Sequence, residues 1–187
     1  GDGYGEWVVD LLDALGHDSA PMIGTSYGAG IVLRTAALAP ERIDRAALVV
    51  PAGFGTGSIG SLARVGVPAL LYRYLSRPWL LERVLDAMCT ATAPDPIVRE
   101  TIAASLRYVD LEREFPTATA DELAALDAPT TVFLADADPF FPADSIRPQV
   151  RDRLPSADIE TLESEKHLLS QPAQERVAGQ IAAFLEG

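Results

Sequence analysis

The spacing of apolar residues in the first third of the chain predicts alternating helices and strands. Apolar residues recur at helical spacing from Glu6 to Gly16, and the glycine is typical of a helix C-terminus. The short apolar run Ala20–Thr25 predicts a buried strand, Ser26–Pro40 a helix, and Arg45–Gly53 a second buried strand. The order helix, strand, helix, strand predicts an α/β fold with a parallel sheet and crossover helices.

The pattern changes between residues 56 and 127, where every periodic stretch is helical and no convincing strand occurs. Helices are expected over Ser61–Leu75, Arg77–Met88 and Asp95–Glu114. The expected helix breakers are Pro68, Pro78, Pro94, Pro96 and Pro116. An insertion of about 70 residues with helices of its own is more typical of a lid than of a plain loop.

Strand character returns after the insertion. Ala128–Asp136 and the weakly alternating Ala157–Glu163 predict two further strands. A helix that Pro148 limits is expected between them, and Gln171–Gly187 predicts the last helix. The predicted organisation is a first core part over residues 1–55, a helical lid over 56–127, and a second core part over 128–187.

A serine stands between two glycines where the first strand meets the next helix. Gly24-Thr25-Ser26-Tyr27-Gly28 matches G-x-S-x-G, the nucleophile-elbow pattern. On such a sharp turn the serine backbone is strained, and the flanking glycines are expected to leave room for it. The N–H of Tyr27 would then point at a developing oxyanion. Phosphate-loop and dinucleotide patterns need other spacings, which leaves an ordinary tight turn as the alternative.

A serine nucleophile needs a general base, and the chain has only two histidines. His17 precedes the strand that leads to Ser26, so it is expected at the end of that strand away from Ser26. We interpret it as a solvated loop residue. His167 follows the last predicted strand. Because parallel strands end at the same edge of a sheet, His167 is expected on the same side as Ser26.

The histidine in turn needs a carboxylate that orients it. Asp136 and Asp138 both follow the third predicted strand, at the same sheet edge. We favour Asp138 and keep Asp136 as the alternative, since its carboxylate could simply hydrogen-bond the turn. Asp144 lies in the following predicted helix and reads as surface charge.

The order Ser26, Asp138, His167 and its local sequences resemble the α/β-hydrolase superfamily. Residues 22–53 resemble the elbow strand, helix and next strand of that family, and residues 165–185 its histidine loop and final helix. "VFLADADPFFP" resembles its G-x-x-D-x-x-x-P acid loop, which implies Asp138 as the acid. The resemblance implies an α/β-hydrolase sheet, of which this chain supplies the C-terminal strands, with a helical lid.

The chain departs from the family pattern at three places. Ala135 replaces the usual glycine of the acid loop, and Lys166 the glycine that often precedes the histidine. The family also has four strands ahead of the segment with which this sequence starts, and a loop among them gives the second oxyanion N–H. Without those strands, the segment Pro21–Thr25 would be an exposed apolar edge.

The composition of the chain argues against several classes of binding partner. A net charge of −12 argues against nucleic acid and anionic membrane surfaces, and no apolar run reaches the ~20 residues of a membrane span. Cys89 is the only cysteine, which excludes an internal disulfide and makes a Cys/His metal site improbable. The chain is expected to be cytoplasmic, to need no cofactor and to act on a small ester-like molecule.

The predicted substrate pocket rests on aromatic residues of the insertion. Tyr72, Tyr74 and Trp79 could line an apolar pocket over Ser26, with Phe54 at its base. Aromatic residues at helical spacing are, however, more often core residues. The sequence thus predicts a carboxylesterase-like serine hydrolase. The alternatives are a thioesterase, a lactonase, a peptidase, a C–C bond hydrolase, a cofactor-free haloperoxidase, or a non-catalytic or inactive fragment.

Overall fold

The computed structural model describes residues 3–109 and 118–186. The strands are β1 (Ala20–Thr25), β2 (Ile43–Val49), β3 (Thr130–Ala135) and β4 (Asp158–Leu162). The helices are α1 (Gly3–Leu15), α2 (Tyr27–Leu38), α3 (Ile59–Leu75), α4 (Pro78–Met88), α5 (Pro96–Tyr108), α6 (Ala120–Ala124), α7 (Ala143–Arg153) and α8 (Gln171–Glu186). Within these ranges, no helix has both the length and the apolar character that crossing a membrane requires.

The four strands form one parallel sheet in the order β1-β2-β3-β4. This confirms the α/β class predicted from the alternation of helices and strands. Because all four strands run in the same direction, the loops that follow them lie at one edge of the sheet. The loops after β1, β3 and β4 carry the three candidate catalytic residues.

The central strands β2 and β3 are largely buried on both faces of the sheet. Alternate residues of β2 and β3 point to opposite sides, and each side has its own hydrophobic cluster. Leu48 and Val132 belong to the larger cluster, which includes residues of α1, α2 and α7. Val49 and Phe133 belong to the cluster that contains Val177 and Ile181 of α8. The result is a three-layer α/β/α arrangement.

The strand β1 forms one edge of the described sheet. Its Ile23 side chain is 55% exposed, although Met22 on the other face is buried. Helix α1 precedes β1, and Gly16 directly follows its last residue with a φ of 74°, which glycine tolerates. The predicted glycine terminus of this helix is therefore confirmed.

The segment between β2 and β3 is helical, and α3, α4 and α5 share a third hydrophobic cluster. Leu80 and Val84 of α4 and Tyr72 of α3 lie at its centre. The assignment of this segment as a lid stays a prediction. The last residues of the helix expected over Asp95–Glu114, together with Pro116, lie outside the described residues.

Two predicted helix breaks are wrong. Pro68 lies inside α3 and Pro148 inside α7, and both helices continue past them. A proline in a helix loses one backbone hydrogen bond and crowds the preceding turn. Buried neighbours on the same helices, Val65 in α3 and Ile146 in α7, show that tertiary packing offsets this cost.

Helix α6 was not predicted from the sequence, although a capping-box pattern marks its start. The Thr119 hydroxyl accepts a hydrogen bond from the N–H of Glu122, whose carboxylate accepts one from the N–H of Thr119. This reciprocal capping box has the sequence form T-x-x-E. At five residues the helix is too short for apolar periodicity to reveal it.

Candidate active site

Ser26 stands on the turn between β1 and α2, with φ of 52° and ψ of −119°. Few residues other than glycine adopt a positive φ, and the strain costs about 1–3 kcal/mol. Two hydrogen bonds join the turn to the end of β2 and the residues after it. The Ser26 N–H donates to the Val49 carbonyl at 2.9 Å, and the Ser26 carbonyl accepts from the Ala52 N–H at 3.1 Å.

Gly24 makes this turn sterically possible. A Cβ at Gly24 would lie 2.6 Å from the Ala29 Cα and 2.8 Å from the Gly28 carbonyl carbon. Both are backbone atoms that cannot move without displacing α2. The expectation that Gly28 is equally constrained is wrong, because a Cβ there would meet no atom within 4 Å. Gly28 lies in the first turn of α2, and its Cβ direction points into open space.

His167 lies in the loop after β4, and its imidazole reaches Ser26. The Ser26 Oγ and the His167 Nε2 are 2.9 Å apart, which is hydrogen-bonding distance. The ring packs edge-on against Phe140, with 4.9 Å between ring centroids, and against Phe141 at 5.7 Å. These two aromatic rings shield one side of the imidazole and limit its rotation.

Asp138 completes the hydrogen-bonded chain. Its Oδ2 lies 2.8 Å from the His167 Nδ1. Its Oδ1 accepts hydrogen bonds from the backbone N–H groups of Phe140, at 2.7 Å, and Phe141, at 3.1 Å. The Asp138 side chain is fully buried, so these contacts replace its hydration. A carboxylate held in this way is placed to orient the imidazole through its Nδ1.

The sequence and the fold of this chain are similar to those of known hydrolases. The model of the α/β hydrolase fold matches residues 2–86. The carboxylesterase YbfK of Bacillus subtilis strain 168 is 22% identical over 98% of this chain and 63% of its own length. Its crystal structure superposes with a TM-score of 0.77 at 21% identity, covering 97% of this chain and 65% of that one.

This chain has the α/β-hydrolase fold. The acetyltransferase component of an acetoin cleaving system from Pseudomonas putida is 27% identical over 98% of this chain and 50% of its own length. The structure of the meta-cleavage product hydrolase CumD of Pseudomonas fluorescens IP01 superposes with a TM-score of 0.78 at 18% identity. The superposition covers 99% of this chain and 71% of CumD. The chain spans about half to two-thirds of the length of the curated relatives it matches.

Within the α/β-hydrolase fold, the structure separates the favoured residues from the alternatives. Asp138 contacts His167, whereas Asp136 is exposed. His17 is exposed and lies ahead of β1, at the far end of that strand from Ser26. Tyr27 begins α2 directly after Ser26. The catalytic roles of these residues remain proposals.

The four aromatic residues expected in the substrate pocket lie in different surroundings. Phe54 is buried in the main core, and Tyr72 in the core of the insertion. Tyr74 is 77% exposed. Trp79 lines a groove of about 730 Å³ between α3 and α4. For Phe54 and Tyr72 the core interpretation is therefore correct, and substrate binding by the four residues stays a prediction.

An apolar groove of about 560 Å³ has His167 among its lining residues. Residues of β1, β2 and α8 form most of its walls, among them Ile23, Val49 and Ile181. None of the four predicted aromatic residues lines this groove. In the described part of the chain, no group of three or more His, Cys, Asp or Glu side chains is placed to hold a metal ion.

Two buried groups near the histidine loop have shifted pKa values. Cys89 is buried, as predicted from the sequence, and this burial raises the pKa of its thiol. For Glu165, burial favours the neutral form. Hydrogen bonds from Ser170 and Thr90 and the charge of Arg176 outweigh it and lower the pKa of the carboxyl. Glu165 was not singled out from the sequence.

The two glycines of the elbow give a matched pair of substitutions. We expect Gly24→Ala to lower the free energy of unfolding by about 1–3 kcal/mol or more, because the new methyl group collides with the backbone of α2. Gly28→Ala should change it by less than about 1 kcal/mol, since alanine favours the helix and meets no neighbour. Urea unfolding of both variants checks this, and equal losses would contradict it.

The lowered pKa of Glu165 predicts a pH-dependent contribution to stability. The ionised carboxylate stabilises the folded state above its usual pKa of about 4.3, and that stability is lost as pH falls through the lowered folded-state value. Glu165→Gln should therefore lower the free energy of unfolding most at neutral pH, and progressively less below about pH 4. The measurement is urea unfolding from pH 7 to pH 3.

The exposed Glu163 supplies the control for this experiment. Glu163→Gln should change the free energy of unfolding little at any pH in the series. A stability loss in Glu165→Gln that stays constant from pH 7 to pH 3 would show that the charge of Glu165 plays no part.

Proposed function

We propose that this protein is a serine hydrolase that cleaves carboxylic esters through an acyl-enzyme, with Ser26 as nucleophile, His167 as base and Asp138 as orienting acid. The observation that carries the proposal is the continuous hydrogen-bonded chain from the Ser26 Oγ through the imidazole to the Asp138 carboxylate. A serine, an imidazole and a buried carboxylate in this order form the arrangement that activates a hydroxyl group.

In the first half of the reaction, the Ser26 Oγ attacks the ester carbonyl carbon. The His167 Nε2 accepts the hydroxyl proton as the new C–O bond forms. Asp138 holds the Nδ1–H through Oδ2, and its Oδ1 is anchored by two backbone N–H groups. Collapse of the tetrahedral intermediate breaks the bond to the leaving alkoxide, and His167 returns the proton to it as an alcohol.

In the second half, His167 takes a proton from water, which attacks the acyl-enzyme. The carboxylic acid leaves, and the proton returns to Ser26. No step in this scheme uses a cofactor. The N–H of Tyr27, directly after the nucleophile in the first turn of α2, is the proposed donor to the oxyanion in both halves.

The strained backbone of Ser26 supports the nucleophile assignment over an ordinary tight turn. A turn without chemistry would be better served by glycine, which adopts a positive φ at no steric cost. The strain is retained together with the 2.9 Å contact to His167, and strained backbone of this kind clusters at functional sites.

The choice of an ester as substrate draws on the relatives. The carboxylesterase YbfK aligns over nearly the whole chain, and its structure superposes on it. Thioesters, lactones, amides and carbon–carbon bonds could be attacked by the same three residues, so the substrate class needs a direct test. The groove beside His167 is lined mostly by apolar residues, which favours an uncharged acyl group.

The test is a panel of p-nitrophenyl esters, lactones, thioesters and amides. We expect the wild-type protein to hydrolyse esters in preference to the other compounds of the panel. Ser26→Ala should lower kcat by at least about 10³-fold. Ser156→Ala, at an exposed turn, is the matched control and should keep full activity.

Three outcomes would contradict this proposal. Ester hydrolysis that persists in Ser26→Ala would remove the nucleophile assignment. Turnover of another member of the panel in preference to every ester would change the substrate class. No turnover of any compound by a folded protein would favour a non-catalytic role.

A further inference from the structure

A second buried carboxylate lies two residues before His167 and takes no part in the proposed chemistry. Glu165 is 9% exposed, and its two oxygens are both hydrogen-bonded. Oε2 accepts from the Ser170 N–H at 2.7 Å, and Oε1 from the Ser170 hydroxyl at 2.6 Å. These contacts join the two ends of the loop that holds His167.

A third partner of Glu165 comes from the helical insertion. The Thr90 side chain, just after α4, lies beside the Glu165 carboxylate and contributes to the lowered pKa of that carboxyl. The same Thr90 oxygen accepts a hydrogen bond from the Lys166 N–H at 2.7 Å. A single side chain of the insertion thus lies against both residues that precede His167.

The backbone on the other side of His167 is also tied to the end of α4. The Thr90 N–H donates to the Leu168 carbonyl at 3.0 Å, and the Leu168 N–H donates to the Met88 carbonyl at 2.8 Å. Cys89 and Leu168 form a parallel bridge. Residues 165–168 are therefore held against residues 88–90 on both sides of the imidazole.

The side chain of Lys166 adds a further contact with α4. Its ammonium group hydrogen-bonds the Asp86 carbonyl near the C-terminal end of that helix, where a cation is favoured. Lys166 stands where a glycine often precedes the histidine in the family that this chain resembles. The lysine side chain thus adds one bond between the loop and α4, through its ammonium group.

Glu165 also contacts the loop that carries the acid. Its carbonyl accepts a hydrogen bond from the Ala137 N–H at 3.0 Å, directly before Asp138. Glu165 therefore joins the acid loop, the histidine loop and, through Thr90, the insertion. A displacement of the end of α4 would act on the histidine loop through all of these bonds, and through Glu165 on the acid loop as well.

We propose that Thr90 and Glu165 are positioning residues that hold the histidine loop against the end of α4 and so keep the imidazole between Ser26 and Asp138. This inference rests on the proposed function, because the position of the imidazole affects a reaction rate only if His167 acts as the base. Misplacement by about 1 Å can cost on the order of 10²-fold in rate, even when it originates away from the reacting atoms. The insertion thereby becomes part of the catalytic framework.

The experiment compares three threonine variants. Thr90→Val keeps the shape of the side chain and removes the hydroxyl, whereas Thr90→Ser keeps the hydroxyl. Thr161→Val in β4 is the matched control, because its buried hydroxyl has no hydrogen-bond partner among the described residues. Glu165→Gln tests the other end of the contact. All are assayed with the ester that the wild-type protein hydrolyses best, well below their melting temperatures.

We expect Thr90→Val and Glu165→Gln to lower kcat by on the order of tenfold or more with KM nearly unchanged, since neither residue is placed to bind substrate. Thr90→Ser should recover most of the rate, and Thr161→Val should match the wild type. A merely structural role would lower the melting temperature of Thr90→Val and leave kcat unchanged, and that result would overturn the proposal.

A second measurement is independent of turnover. The chain has two histidines, so imidazole proton signals in the NMR spectrum are readily assigned with a His17→Gln variant. We expect a protected Nδ1 proton of His167 in the wild type, Thr90→Ser and Thr161→Val, and its loss through exchange in Thr90→Val. An unchanged signal in Thr90→Val would overturn the positioning role.

The two readouts separate this inference from the proposed function. If the wild-type protein hydrolyses no ester, the proposed function fails, and the imidazole signal alone decides whether Thr90 holds the loop. If ester hydrolysis depends on Ser26 but is insensitive to Thr90→Val, the proposed function stands and the positioning role is wrong.

Discussion

The strained backbone at Ser26 is the constraint on which the rest of the site depends. A positive φ at this residue turns the chain sharply from β1 into α2 and brings the hydroxyl to the carboxyl edge of the sheet. The turn requires the close approach of α2 to Gly24, and hydrogen bonds to Val49 and Ala52 hold it in place. The buried parallel sheet supplies the rigidity that maintains this unfavourable conformation.

The other catalytic candidates reach Ser26 because the strands are parallel. The loops after β3 and β4 emerge at the same edge, where backbone N–H groups hold Asp138 and two phenylalanine rings hold His167. The insertion adds a second support, since the end of α4 is bonded to the histidine loop and the start of the insertion to the acid loop. The latter bond runs from the Gly57 N–H to the Phe140 carbonyl.

Local signals in the sequence predicted most of the fold and the three residues that meet at the site. Apolar periodicity predicted the four strands, and parallel topology separated His167 from His17 without any knowledge of contacts. The same local reasoning failed at Pro68 and Pro148, because tertiary packing overrides the helix-breaking tendency of proline. It could not find the contact of Thr90 with Lys166, which joins residues 76 positions apart.

The most direct test of the central claim is covalent labelling of the nucleophile. A fluorophosphonate probe reacts with a serine only when that serine is activated by its surroundings. Intact-mass measurement should show one added phosphonyl group, and peptide mapping should place it on Ser26. Labelling should disappear in His167→Ala, which keeps the serine but removes its base. A folded protein that takes up no probe, or takes it up at another residue, would contradict the account.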